Sequence, residues 1–239
     1  MTTADSAITK LDQPERFFVF PDPPEIPEDK VTNFDHLTAN GNVHHLSIHL
    51  GNPETTLVAG ERYLALAPTG EMTGLRYPDL LIAFNVNPAL YRRRRAYVIE
   101  DQGKPPDFVM EVASPSTRRV DATGKREDYA ALGIPEYWRF DETIGGRLPK
   151  LAGDRLVEGR YQPIPIAELA EGVLQGYSQA LNLYLRWVRS ELEWHDPDTG
   201  RRIVTFTDER ARADRAEADL TAARAHIAEL EERLRSQNS

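Results

Sequence analysis

Two short, dense apolar runs sit in the middle of this chain and limit what it can fold into. The first is Leu80-Leu81-Ile82-Ala83-Phe84, entered through Pro78-Asp79. The second is Phe108-Val109-Met110-Glu111-Val112-Ala113, entered through Pro105-Pro106-Asp107. Both are too short for buried helices and are bounded by turn residues, which predicts strands. Their continuous apolar character predicts cover on both faces. The stretch between them, from about Asn87 to Pro106, is long for a hairpin but carries no signal for a crossover helix. Antiparallel pairing is therefore expected. Antiparallel partners keep the sum of their residue numbers constant. Setting Asp79 opposite Glu111 makes that sum 190, places Phe84 opposite Pro106 and aligns the runs over nearly their full length.

The flanking sequence suggests the remaining elements. Residues 1–35 are rich in proline and acid (PDPPEIPEDK) and read as an extended arm over the surface. Residues 36–205 read as one domain and 206–239 as a charged helix. A helix is expected within Phe34–Leu50 despite Gly41 and Asn42. One strand is expected over Val58–Ala67, with Tyr63 and Leu64 in its middle. Ser114-Pro115-Ser116-Thr117 offers N-caps for a helix from about Thr117 to Leu132. Gly133 and Pro135 end that helix. EYWRFD reads as a strand, LAGDRLVEGRYQPI as a hairpin turning near Val157 to Gly159, and LNLYLRWVRSELEWHDPDTGRRI as a strand pair turning at DPDTG. In the last segment Ala213, Ala216, Leu220, Ala223, Ile227, Leu230 and Leu234 alternate by three and four residues, the spacing of a heptad seam. A helix so polar would be marginal alone, so a homodimeric coiled coil is expected, with a solvated tail as the bland alternative.

Composition removes several classes of function. There is no cysteine, hence no disulfide, thiolate nucleophile or cysteine-bound zinc. No apolar run is long enough for a membrane span. The N-terminal MTTADSAITKLDQPE lacks a basic and apolar leader, and a cytoplasmic location is expected. The overall charge of −9 argues against a general nucleic-acid binder. From Tyr91 to Arg126, however, nine Lys and Arg face five acids, including the run Arg92-Arg93-Arg94-Arg95. That local excess can meet phosphate, although an arginine-rich solvated loop would look the same. No GxSxG, HExxH or GxxxxGK[ST] pattern is present. His44, His45 and His49 read as a helix face, and Trp138, Trp187 and Trp194 as packing residues.

The chemistry resides in the two strands. Two carboxylates, Asp79 and Glu111, on neighbouring strands repel and raise each other's pKa unless a cation resolves the conflict. Mg²⁺ prefers one or two carboxylates completed by water and phosphate oxygens. In the following helix Ala122, Lys125, Tyr129 and Leu132 share the face toward the sheet, so Lys125 is the third member; Arg126 and Asp128 point away. Asp107 shares Glu111's strand face but lies too far along the strand to share an ion. Each feature alone is commonplace; their joint order and facing carry the reading.

The run RYPDLLIAF followed by PPDFVMEVASPSTRRVDATGKREDYAALGIPEYWRFD resembles the restriction endonuclease family within the PD-(D/E)XK nuclease superfamily. The likeness is strong over Gly74–Asp141 and looser through the DPDTG hairpin and the tail. It implies an α/β, restriction-endonuclease-like core with a central mixed β-sheet flanked by helices, and Mg²⁺-dependent (or Mn²⁺-dependent) cleavage of DNA. It also implies Asp79 and Glu111 as metal ligands. The position two after Glu111 is Ala113, where the superfamily carries lysine; the resemblance implies that Lys125 supplies that amine from the helix. Arg92, Arg93, Arg94, Arg95 and Arg118 are candidate contacts to DNA. A binding or assembly module with little turnover is the alternative.

Overall fold

The computed structural model describes residues 17–23, 42–113, 121–141, 149–189, 191–203 and 206–237. The elements run α1 (Asn42–Leu50), β1 (Leu57–Ala59), β2 (Tyr63–Ala65), β3 (Leu80–Ala83), α2 (Pro88–Arg94), β4 (Ala96–Val98), α3 (Ile99–Gln102), β5 (Phe108–Ala113) and α4 (Asp121–Ala131). They continue with β6 (Glu136–Asp141), β7 (Leu151–Val157), β8 (Arg160–Pro163), β9 (Ile166–Ala170), β10 (Val173–Ser178), β11 (Leu183–Val188), β12 (Glu191–His195) and α5 (Phe206–Gln237).

A central six-stranded sheet has the order β1-β3-β5-β6-β7-β8. It is mixed: β5 and β6 are parallel, joined by α4, and the other neighbours are antiparallel. Strand alternation divides its side chains between two cores. Leu80, Ile82, Phe108, Met110, Trp138 and Phe140 point to one side, where Leu183, Leu185, Trp187 and Trp194 of a second, antiparallel sheet (β12-β11-β10-β9) meet them. Leu81, Ala83, Val109 and Tyr137 point to the other, against Tyr129 and Ile134. The expectation of strands covered on both faces therefore holds for β3 and β5, as does the packing role of all three tryptophans. Trp138 lies between strands made thin by glycine: a Cβ on Gly153 would come within 2.9 Å of its ring and one on Gly176 within 2.7 Å.

Several expectations need correction. The stretch between β3 and β5 is no simple loop; it holds α2, β4 and α3, and β4 pairs in parallel with β2. Asn87 begins the detour, its side chain accepting from the Ala89 and Leu90 amides ahead of Pro88 in the first turn. Val58–Ala67 is two strands in two different sheets, divided at Gly60–Arg62, where Glu61 adopts positive φ. The hairpin at Glu158-Gly159 is as expected. The β11–β12 pair exists, but Asp196-Pro197-Asp198-Thr199-Gly200 follows β12 instead of joining the strands. The hairpin β9–β10 was not anticipated.

Helix α4 ends as read, with Gly133 at φ 76° and the Ile134 amide donating to the Tyr129 carbonyl. Its expected caps, Ser114 to Thr117, lie outside the described residues, as do residues 1–16 and 24–41. The described part of the N-terminal arm is packed, not merely draped. Phe20 is buried with Tyr63, Ala65, Ala96 and Val98. His44 and His49 on α1 are exposed and His45 is buried. No described helix is long and apolar enough to cross a membrane.

Candidate active site

The paired residues of β3 and β5 are Leu80 with Met110, Leu81 with Val109 and Ile82 with Phe108, all of which sum to 190. One step further along the same register sets Asp79 beside Glu111. Both odd-numbered side chains belong to the face that packs against α4. The Val112 amide donates to Asp79 Oδ2 at 2.6 Å, which ties the carboxylate across the strand boundary.

Helix α4 reaches down onto this pair. Lys125 and Tyr129 are one turn apart and face the sheet together. Lys125 Nζ donates to Glu111 Oε2 at 3.0 Å, and the buried Tyr129 hydroxyl donates to Oε1. Glu111 is buried and held at both oxygens by one helix. The sequence reading placed Tyr129 on the correct stripe but gave it no role; its spacing of four from Lys125 was the available signal.

The electrostatics reflect crowding. Withdrawal from solvent raises the Asp79 pKa well above the usual carboxylate range, and the Glu111 charge raises it further. The Val112 amide and Lys125 oppose that rise only in part. Glu61, in the turn before β2, adds to the negative field at Asp79. Burial, then the Glu111 charge, raises the Tyr129 pKa, so its hydroxyl stays a donor.

Other named residues go elsewhere. Asp107 accepts from the Phe84 amide and from Lys104, and pins the end of β3 to the start of β5. Asp128 pairs with Arg76 and is turned away from the carboxylates as expected. Arg126, expected to point away from the sheet, instead reaches across its α4-facing side to Asp154 of β7, because its long side chain extends sideways from the helix over the strands next to β5. The arginine run anchors the N-terminal segment. Arg94 is turned inward to Asp101 and the Phe18 carbonyl, the Arg93 and Arg94 guanidinium groups stack on Phe17, and Arg95 pairs with Asp22. Arg118 lies outside the described residues.

The Uma2 family, described as "Putative restriction endonuclease", matches residues 54–185, more than half of the chain. The chain belongs to this family. The Uma2 match starts just before β1 and ends within β11, so it contains the whole six-stranded sheet together with Asp79, Glu111 and Lys125. It leaves out the N-terminal segment, β12 and α5. No curated protein matches the chain. Uma2 membership makes a nuclease-like function of the restriction-endonuclease type the starting point for reading the site.

Proposed function

We propose that this Uma2 protein is a divalent-metal-dependent endonuclease that hydrolyses phosphodiester bonds in DNA. Asp79 and Glu111 would hold the metal and Lys125 would assist the reaction. One observation supports this reading above the others: the β3–β5 register brings two carboxylates side by side under a lysine that already touches one of them.

The donor set suits Mg²⁺ or Mn²⁺. Two adjacent carboxylates with one lysine between them make a negative, partly desolvated pair that a cation would relieve. Among the described residues no group of three or more acids or histidines gathers at one point. Water and phosphate oxygens would complete the shell, as Mg²⁺ prefers. A bound metal would acidify a water and neutralise charge on the scissile phosphate. The protein's own part is orientation. Val112 N and the Tyr129 hydroxyl fix one oxygen of each carboxylate. Lys125, which donates to Glu111, would also donate to the attacking water or to a phosphate oxygen. Arg92, Arg93 and Arg95, with Arg118, are proposed as contacts to the DNA backbone; Arg94 is committed to Asp101.

The test is nicking of supercoiled plasmid in Mg²⁺ or Mn²⁺ by the wild type, Asp79→Ala and Glu111→Ala. Each substitution should reduce the rate by about 100-fold or more. Cleavage that survives both changes, or needs no divalent ion, would refute the proposal. A second reading, assembly with little turnover, draws on α5, where Leu220, Ile227 and Leu230 are exposed at heptad spacing. We propose that α5 pairs with its copy in a homodimer.

A further inference from the structure

Immediately beside the carboxylate pair, on the same face of the sheet, lies a second charged group. Arg139 is the residue of β6 directly paired with Glu111, about 4.8 Å away across the sheet. Arg126 follows Lys125 on α4. Both arginines converge on Asp154 of β7: Arg126 Nη2 reaches Oδ1 and Arg139 Nη2 reaches Oδ2, each at 3.0 Å. Arg126 also donates to the Tyr161 carbonyl at 2.6 Å.

The arrangement is asymmetric in a way that points to an anion. The Asp154 side chain is 3% exposed, whereas those of Arg126 and Arg139 are 35% and 31% exposed. One buried carboxylate thus anchors two guanidinium groups that face solvent, with one positive charge left over. Each guanidinium has five N–H donors, and these contacts use only part of them. Anchored arginines forfeit little side-chain entropy when the two free oxygens of a phosphodiester arrive.

We infer that Arg126 and Arg139, held on Asp154, form a phosphate-binding site for the DNA strand that passes the Asp79–Glu111 pair, contacting a backbone phosphate next to the one cleaved. This rests on the nuclease reading for its ligand, but it concerns binding and can be measured without cleavage.

The experiment is anisotropy of a labelled DNA duplex in EDTA, with salt varied from about 50 to 200 mM. Arg126→Gln and Arg139→Gln are compared with Arg155→Gln. Arg155 is a matched control: it too pairs with a buried acid, Glu136, at 3.1 Å, but it lies on the opposite face of β7 from Asp154. Each of the first two variants should reduce the slope of log affinity against log salt by about 0.9, the value for one lost phosphate contact; Arg155→Gln should leave it unchanged. Unchanged slopes in folded Arg126→Gln and Arg139→Gln, or no DNA binding by the wild type, would overturn the inference. Should either variant fail to fold, phenylglyoxal labelling of the wild type decides. DNA should protect Arg126 and Arg139 and spare the labelling of Arg155; equal labelling with and without DNA counts against the site. Metal-dependent cleavage with unaltered slopes refutes only this contact. Altered slopes without cleavage refute only the nuclease.

Discussion

Burying Asp79 beside Glu111 opposes its ionisation, and the consequence for stability has a definite sign. The folded protein holds the Asp79 proton more tightly than the unfolded chain, whose carboxyl has the ordinary value of 3.8. That favourable contribution is present in acid and is lost as pH rises above 3.8 and through the folded-state value. At neutral pH the metal-free protein therefore carries a penalty. Asp79→Asn removes the charge yet keeps an oxygen for the Val112 amide. It should raise the Tm in EDTA at pH 8 by about 2–4 °C, equivalent to about 1 kcal/mol for a chain of this size. The gain should shrink as pH is lowered. Added Mg²⁺ should stabilise the wild type and not the variant. A variant that melts lower than wild type in EDTA at pH 8 contradicts the account. At this scale Asp79, Glu111 and Lys125 were legible because each follows from the register or the helical stripe. The Tyr129 hydroxyl and the Arg126–Asp154–Arg139 group were not. Tyrosine and charged residues on a stripe look alike whether they pack, pair or react, and Asp154 meets its partners only through the order of strands.

The elements that could be read were those whose pattern is complete within themselves. β3 and β5 are bounded by turns and each is a compact apolar run, so their register followed from the position of the acids alone. α2, β4 and α3 are too short to display a period; the cap-and-proline pair Asn87-Pro88 was a start signal that the reading passed over. The turn between β11 and β12 passes through Arg189 at φ 51°, a conformation in which arginine is uncommon. DPDTG, with far stronger turn chemistry, drew the assignment. β9 escaped because most of its side chains are exposed and its sequence IAELA alternates weakly. Glycine shows how an element's surroundings set the cost of a side chain. A Cβ on Gly176 would lie 2.6 Å from Ile166 and 2.7 Å from Trp138, so Gly176→Ala should destabilise by about 1–3 kcal/mol. Gly124 in α4 has nothing within 4 Å, and Gly124→Ala should stabilise by about 0.5–1 kcal/mol. Opposite signs in denaturant midpoints are the expected result; a neutral Gly176→Ala would mean that the two sheets pack less tightly around Trp138 than this.

For the molecule as a whole, the element that the fold does not account for is α5. Its 32 residues extend about 48 Å; they are good helix formers, but the apolar positions Leu220, Ile227 and Leu230 have no packing among the described residues to stabilise them on this chain. Leu220, Ile227 and Leu230 are 51%, 55% and 42% exposed on one chain. Their heptad spacing gives them a natural partner in the same stripe of a second chain. The alanines at 213, 216 and 223 thin the seam, so the pairing should be weak and concentration-dependent. Sedimentation should show a dimer that dissociates on dilution, and circular dichroism should show helix lost in parallel. Removing residues 206–239 should give a monomer whose melting is unchanged, because the family match and both main cores end before α5. Leu230→Arg should give the same monomer with the full-length chain. A truncated protein that stays dimeric would move the interface to the nuclease-like domain, and a full-length protein that is monomeric at every concentration would leave α5 without a partner of its own kind.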